Sequence, residues 1–187
     1  TTECYPYSAG MTAIESSSFD DGWQISRGIS FGDLEWAATG ERLTEESFAK
    51  YRKMGGMVIL HMIPEDAVKE SVISPITSIA SDGYIKHGVG HPRTAGTYSR
   101  VLGRFVRGSN DLTLMQAIRK MSLMPARRLE SRVASMANKG RISIGSDADL
   151  VLFDPNTVID ESTYNEPNTP SNGIKYVLVD GVPVVKY

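Results

Sequence analysis

The sequence has 187 residues, 41% hydrophobic and 22% charged, which is enough to bury a sizeable core. Its formal net charge of −2 gives no basic field, so we expect neither nucleic acid nor an anionic membrane surface as a partner. No apolar run approaches the roughly 18 residues that a membrane-spanning helix needs. The single cysteine, Cys4, excludes an internal disulfide framework and predicts a reducing, cytoplasmic location.

The first 54 residues predict a strand, a loop and a helix. TTECY has the composition of a strand, and Pro6 ends it because proline cannot donate to a ladder. Residues 11–33 are rich in Ser, Gly and Asp without a sustained period, and they predict a long loop. A helix is predicted from Thr44, a suitable N-cap that is followed by acidic residues, as far as Gly55.

Two apolar runs with a short helix between them predict a parallel βαβ arrangement. MVILHMI (57–63) is continuously apolar, which is typical of a strand covered on both faces in a parallel sheet. Pro64 begins a short helix, and ITSIA (76–80) is the next predicted strand. The alternation predicts right-handed crossover units.

The predicted secondary structure changes from helix to strand at Gly140. Before it, helices are predicted near 112–123 and 125–137, the second introduced by a proline. After it come β-branched segments and an Asp180-Gly181 pair that is typical of a hairpin turn. We therefore predict an α/β part over residues 1–138 and an antiparallel β part over residues 139–187.

The loop after ITSIA holds candidate functional residues. Side chains at the carboxyl ends of parallel strands are placed to do chemistry, and Asp82 follows such a strand. Its carboxylate could bind a metal or act as a base toward a metal-bound water. The alternative is a plain Ser-Asp-Gly turn.

His87, His91 and Arg93 follow in the same loop. The glycines around the two histidines argue against a metal-binding helix face, and we interpret both as loop histidines with local hydrogen bonds. Arg93 comes directly after a proline and suits bidentate recognition of a carboxylate; the alternative is a surface ion pair.

The combination of these motifs resembles the C-terminal part of the N-acyl-D-amino-acid deacylases (D-aminoacylases) of the amidohydrolase superfamily. The matching segments are YPYSAG, EWAATGERLT (35–44), IASDG (79–83), GHPRTAGTYSRVLGRFVR (90–107), LTLMQAIRKMSLMPARRL (112–129), GRISIGSDADLVLFDP (140–155) and GIKYVLVDGVPVV (173–185). Their order and spacing fit the family. The spacing between the strand-end aspartate and His-Pro-Arg, with Tyr-Pro-Tyr upstream, points to the deacylase branch.

The resemblance implies a fold, a cofactor and residue roles. Intact members have a (β/α)8 barrel and a small antiparallel β-domain, and zinc at the barrel mouth activates water to hydrolyse an N-acyl-D-amino acid. Asp82 would be a metal ligand and the catalytic base that passes a proton to the leaving amine. Arg93 would pair with the substrate carboxylate, and Tyr5 would help to bind that carboxylate or the oxyanion.

The sequence departs from the family pattern at two points. The family usually has Ser or Thr at the position of Met11, where neighbouring Thr12 is the nearest substitute. The family's His-x-His pair, its cysteine or lysine and two further histidines all lie upstream of this chain. We interpret Cys4 as a buried strand residue and His61 as a histidine of the core or of the barrel mouth, rather than as their replacements.

Two classes of function remain open. In the first, the chain is the last part of a zinc amidohydrolase, completed by a missing N-terminal portion and inactive alone. In the second, it is a stand-alone binding or assembly module without catalysis. Within the enzyme class, a cyclic-amide hydrolase resembling dihydropyrimidinase is the runner-up, although it gives no reason for Arg93. Strand edges exposed in a partial barrel predict self-association with a homo-oligomer partner.

Overall fold

The computed structural model describes residues 2–187 as a mixture of short strands and helices. The strands are β1 (Thr2–Cys4), β2 (Ala9–Ala13), β3 (Leu34–Trp36), β4 (Glu41–Arg42), β5 (Met57–His61), β6 (Thr77–Ile79), β7 (Ile85–Lys86), β8 (Val89–Gly90), β9 (Leu150–Phe153), β10 (Ile174–Val179) and β11 (Val182–Lys186). The α-helices are α1 (Trp23–Arg27), α2 (Glu45–Met54), α3 (Glu65–Ile73), α4 (Arg93–Arg100), α5 (Leu114–Ile118) and α6 (Met124–Leu129).

The strand predicted over MVILHMI forms, but its neighbours are not those expected. β5 lies inside a four-stranded sheet of order β2-β5-β3-β4, and every pair in that sheet is antiparallel. The prediction that β5 belongs to a parallel layer with β6 is therefore wrong. The apolar run correctly indicated burial, since Val58, Ile59 and Leu60 are all buried. Burial on both faces says nothing about strand direction, and this is why the inference failed.

A short parallel pair positions the loop that carries Asp82. β1 and β6 pair in parallel, with Thr2 opposite Thr77 and Cys4 opposite Ile79. Because the strands are parallel, both end on the same side of the pair. β1 continues to Tyr5, and β6 continues to Asp82. Asp82 therefore follows the carboxyl end of a strand in a parallel pair, as the sequence predicted.

The segment predicted as a long loop, residues 11–33, is partly ordered into helical turns. It contains the end of β2, the helix α1 and 3-10 turns at Ser17–Phe19 and Phe31–Asp33. Phe19 and Trp23 are buried in the first hydrophobic core, where the Trp23 ring stacks on Phe48 of α2 at 5.4 Å. Burial of a few aromatic rings holds these turns, so they have no periodic sequence signal.

The C-terminal helices pack in a second core. α4 continues through a π-helical stretch at Val101–Gly108, and a second π-helical stretch, Arg119–Leu123, joins α5 to α6. The predicted break at Pro125 is therefore absent, and the helix instead ends at Leu129. The wider π-turn directly precedes the proline, whose missing N–H cannot complete an ordinary α-helical bond. Ala134–Asn138 forms only a 3-10 turn.

The predicted hairpin in the last segment is confirmed. β10 and β11 pair antiparallel around Asp180 and Gly181, both with positive φ (48° and 76°), as a two-residue primed turn requires. β9 completes a three-stranded sheet of order β11-β10-β9. Val158, between β9 and β10, is buried in the second core with helical residues.

The domain division near residue 138 stays a prediction. Within residues 2–187, no helix is long and apolar enough to cross a membrane.

Candidate active site

Asp82 lies beyond the carboxyl end of β6 in a strained backbone conformation. Its φ is +44°, in the left-handed region that costs an ordinary residue about 1–2 kcal/mol, although Asp tolerates it better than most. Its side chain is 67% exposed. The carboxylate is thus presented to solvent at the strand end, as a base or a metal ligand needs to be.

The guanidinium of Arg93 holds this aspartate by two contacts. Nε donates to the Asp82 carbonyl oxygen at 2.8 Å, and Nη2 lies 2.7 Å from its carboxylate Oδ2. Arg93 is the first residue of α4, and its side chain is only 3% exposed. A guanidinium buried to this extent needs a partner, and Asp82 provides the charge. The ion pair expected as the alternative for Arg93 is present, but the arginine is buried rather than on the surface.

Tyr5 completes a group of three with these residues. The Arg93 guanidinium carbon lies 4.4 Å from the centroid of the Tyr5 ring, which is close enough for a cation–π interaction. Burial, the largest effect, raises the pKa of the Tyr5 phenol, so it stays protonated and able to donate. The structure therefore brings together the three residues that the sequence singled out: Tyr5, Asp82 and Arg93.

His91 is a structural support for Arg93. Its ring is completely buried, with Nε2 3.0 Å from the Ala9 carbonyl oxygen and Nδ1 accepting the Arg93 backbone N–H at 3.0 Å. Nδ1 must therefore carry no proton, and Nε2 donates. Burial, followed by the charge of Arg93, lowers the pKa of His91 to about 3, so the ring is neutral at pH 7. The local hydrogen bond predicted for this histidine is confirmed.

His87 has a different setting. It occupies the two-residue turn between β7 and β8 with Gly88, and both have positive φ (53° and 81°). Its side chain is exposed. Histidine is one of the residues that enters this backbone region more readily than most, so the turn accounts for its placement. His87 and His91 do not share a site.

A second polar cluster lies at the end of β5. His61 Nε2 is 2.9 Å from Glu35 Oε2, and Glu35 also lies 3.6 Å from the Nε of Arg42. Tyr164 bridges the two clusters, since its ring centroid is 5.0 Å from that of His61 and 5.2 Å from that of His91. His61 is therefore a half-buried residue that contacts Glu35 beside the site, in keeping with its sequence interpretation. Glu35 and Tyr164 received no role from the sequence.

Met11 lies on β2 opposite Ile59, inside the four-stranded sheet. Successive side chains of a strand point to opposite faces, so Thr12 cannot present its hydroxyl where Met11 lies. Thr12 is thus not a substitute for the missing hydroxyl. The hydroxyl that the family usually has at the position of Met11 is therefore not supplied by Thr12.

The described residues do not form a metal site by themselves. Nowhere in residues 2–187 do three His, Cys, Asp or Glu side chains come together in an arrangement that could hold an ion. Cys4 is half-buried in β1, and burial, as the largest effect, raises the pKa of its thiol, which disfavours the thiolate that binds metals. Asp82 is an exposed oxygen ligand, the type that suits a divalent cation, but a zinc site needs roughly three or four protein ligands.

A buried network behind the site was not found from the sequence. Asp160 accepts hydrogen bonds from Tyr7 and Arg100, and Arg100 also donates from Nε to the Pro6 carbonyl oxygen at 2.7 Å. Asp160 is 153 residues from Tyr7 and 60 from Arg100 along the chain. A lone aspartate after β9 gives no local signal of such partners.

The match to a known family covers nearly the whole chain. The profile of the Amidohydro_3 group, described as "Amidohydrolase family", matches residues 12–185. The chain belongs to the amidohydrolase family.

Several relatives of this amidohydrolase chain are deacylases. It is 32% identical to a D-aminoacylase of Alcaligenes xylosoxydans xylosoxydans over 191 residues, covering 97% of this chain and 38% of that protein. It is 39% identical to an N-acyl-D-glutamate deacylase of the same organism over 126 residues, covering 67% of this chain and 25% of that protein. The chain therefore spans well under half the length of the curated relatives it matches.

A solved structure shares this fold. The N-acyl-D-glutamate deacylase of Bordetella bronchiseptica, complexed with zinc and a phosphonate inhibitor that mimics the tetrahedral intermediate, superposes with a TM-score of 0.79 at 32% identity. The superposition covers 97% of this chain and 39% of the deacylase. The mixed helix and strand content predicted from the sequence is thus that of an amidohydrolase.

Proposed function

We propose that the protein containing this chain hydrolyses the amide bond of N-acyl-D-amino acids. In this proposal residues 1–138 are the last part of a (β/α)8 barrel, and residues 139–187 are part of a small β-domain. The observation that carries the proposal is the meeting of Tyr5, Asp82 and Arg93 in one site. The identities of the deacylase relatives support it.

A divalent metal, which we propose to be zinc, supplies a water of lowered pKa when bound beside Asp82. The zinc complex of the Bordetella deacylase supports this choice. Asp82 is the ligand that this chain offers. The chain spans 39% of the Bordetella deacylase, and in this proposal the remaining ligands come from a region corresponding to the rest of that protein.

Asp82 moves the proton in the proposed reaction. Its exposed carboxylate takes a proton from the attacking water, whose oxygen bonds to the amide carbonyl carbon. The carbon–nitrogen bond then breaks, and the proton on Asp82 passes to the amine nitrogen that leaves. The two contacts from Arg93 fix the orientation of the carboxylate without covering it, since the side chain remains 67% exposed. A base held in place in this way lowers the barrier to proton transfer.

Arg93 and Tyr5 bind the substrate's α-carboxylate in this proposal. A protonated phenol and a guanidinium in contact form a natural receptor for a carboxylate, since both donate hydrogen bonds to it. Asp82 occupies the Nη2 side of the guanidinium. A substrate carboxylate therefore binds at another edge of Arg93, so that Asp82 keeps its orientation.

The test is an assay of the full-length gene product with N-acetyl-D-glutamate, N-acetyl-D-leucine and their L enantiomers, with zinc supplied. We expect amine release from the D compounds, and loss of it in Asp82→Asn. Hydrolysis of dihydrouracil in preference to these substrates would favour the cyclic-amide hydrolase. A full-length, zinc-loaded protein that hydrolyses none of them would favour the non-catalytic module.

A further inference from the structure

Asp160 is a buried carboxylate for which the proposed reaction has no use. Its side chain is 4% exposed, and its Oδ2 lies 2.8 Å from Nη1 of Arg100. The same oxygen accepts a hydrogen bond from the Tyr7 hydroxyl at 3.2 Å. Burial raises the pKa of Tyr7, with the charge of Asp160 adding to the effect, so the phenol donates. One carboxylate oxygen thus joins two residues that are far apart in sequence.

Arg100 passes this constraint to the segment that carries Tyr5. Its Nε donates to the Pro6 carbonyl oxygen at 2.7 Å, and its guanidinium carbon lies 4.4 Å from the Tyr7 ring centroid. Pro6 directly follows Tyr5, whose ring lies against Arg93. Arg100, at the C-terminal end of α4, therefore holds the segment that contains Tyr5. The Tyr5 ring in turn contacts Arg93, at the N-terminal end of the same helix.

The segment around Asp160 also touches the start of α4. Ser162 Oγ donates to the Pro92 carbonyl oxygen at 2.9 Å, next to Arg93. Gly96 lets these elements approach, because a Cβ there would lie 2.3 Å from the Tyr7 hydroxyl and 2.6 Å from Ser162 Oγ. The contact is a close-packed clamp rather than a loose surface association.

We infer that Asp160 is a positioning residue for the candidate site. Through Arg100 and Pro6, Asp160 holds Tyr5 against Arg93. Its catalytic consequence rests on the proposed function; its structural consequence does not. Removal of the charge leaves Arg100 without its carboxylate partner, and the Pro6 contact loosens. Tyr5 then moves relative to the guanidinium, and the receptor for a carboxylate loses its shape.

The experiment uses Asp160→Asn in the full-length gene product, with Glu130→Gln as the matched control. Glu130 pairs with Arg141 at 2.5 Å, another carboxylate–guanidinium contact, but it touches neither Tyr5 nor Arg93. The first measurement is the NMR resonance of the Arg93 Nε–H, whose shift reports the ring current of Tyr5. We expect it to move in Asp160→Asn and to stay in Glu130→Gln.

The second measurement is steady-state kinetics on an N-acetyl-D-amino acid and on its decarboxylated analogue. We expect kcat/KM to fall about 10- to 100-fold in Asp160→Asn, through KM and for the carboxylate substrate only, with Glu130→Gln unchanged. An unmoved Arg93 resonance in a folded Asp160→Asn protein overturns the inference, as does an equal loss for both substrates.

Arg100→Lys decides the matter if Asp160→Asn does not fold. Lysine keeps a cation for Asp160 but has no Nε–H to donate to the Pro6 carbonyl oxygen. A moved Arg93 resonance supports the inference, and an unmoved resonance overturns it. If the wild-type protein shows no deacylation, the proposed function fails, and the NMR result still decides the role of Asp160.

Discussion

Arg93 and Asp82 are joined twice, by a hydrogen bond to the aspartate's carbonyl oxygen at 2.8 Å and by a contact with its carboxylate at 2.7 Å. The first contact stabilises the left-handed backbone at Asp82, and the second orients the side chain. The Arg93 guanidinium is nearly inaccessible to solvent, so the buried arginine holds the exposed aspartate in place. Arg93 therefore has two proposed roles: it supports the base, and it binds the substrate carboxylate.

Asp82→Asn and Arg93→Ala should fail in different ways in the full-length protein. Asparagine keeps the shape but cannot accept the proton, so kcat should fall on the order of 10²-fold with KM altered much less. Loss of the guanidinium should weaken substrate binding by roughly 1.5–3 kcal/mol, mainly through KM. The measurement is kcat and KM for each variant on an N-acetyl-D-amino acid.

The decarboxylated analogue separates the two roles of Arg93. Because Arg93 also holds Asp82, Arg93→Ala should lower turnover of both substrates, but if Arg93 binds the substrate carboxylate the loss in kcat/KM should be clearly larger for the substrate that has one. Equal damage to both substrates would mean that Arg93 acts only by holding Asp82, and the assigned role as carboxylate receptor would be wrong.

Stability should fall on acidification because His91 is buried in its neutral form. Its pKa is about 3 in the folded chain against an ordinary value of 6.5, so the unfolded state binds the proton more readily between these values. Stability from this group is complete above pH 6.5 and is lost as pH falls toward 3. Between pH 7 and pH 5 the loss should be about 2 kcal/mol, measured by urea unfolding.

His91→Gln provides the check, with His87→Gln as its control. Glutamine can accept from the Arg93 N–H and donate to the Ala9 carbonyl without titrating, so its unfolding free energy should depend less on pH. His87 is exposed in a turn, and its replacement should leave the pH dependence as it was. An unchanged slope in His91→Gln would show that other groups cause the acid sensitivity.

The 187-residue chain alone should hold no stoichiometric zinc and should not deacylate. Asp82 is one ligand, and the residues described here bring no set of three potential ligands together. Elemental analysis after dialysis, together with an amine-release assay, measures both properties. One zinc per chain accompanied by turnover would contradict the prediction.

The same chain should self-associate through its β-rich end. Val182 and Val184 on β11, an edge strand of its sheet, are 62% and 58% exposed. Such edges pair with other chains unless charge or a cover prevents it. Sedimentation velocity across a concentration series should show oligomers, which Val182→Lys with Val184→Lys should reduce. A monomer at all concentrations would refute this.

The sequence by itself determined the features that local chemistry controls. Thr44 accepts from the Ser47 N–H as the N-cap of α2, and the two positive-φ residues Asp180 and Gly181 form the hairpin turn. The position of Asp82 followed from a strand end, and resemblance to a family gave the proposed roles of Asp82 and Arg93. Each of these signals lies within a few residues of the structure it specifies.

Only the tertiary structure decided which distant groups meet. The apolar run of β5 indicates burial, but the antiparallel neighbours β2 and β3 were chosen by packing across the sheet. The ion pair between Arg100 and Asp160, and the contact of Tyr164 with both His61 and His91, connect residues with no local relation. Charges and rings of this kind find partners because burial makes an unpaired polar group costly, and that condition exists only once the chain has folded.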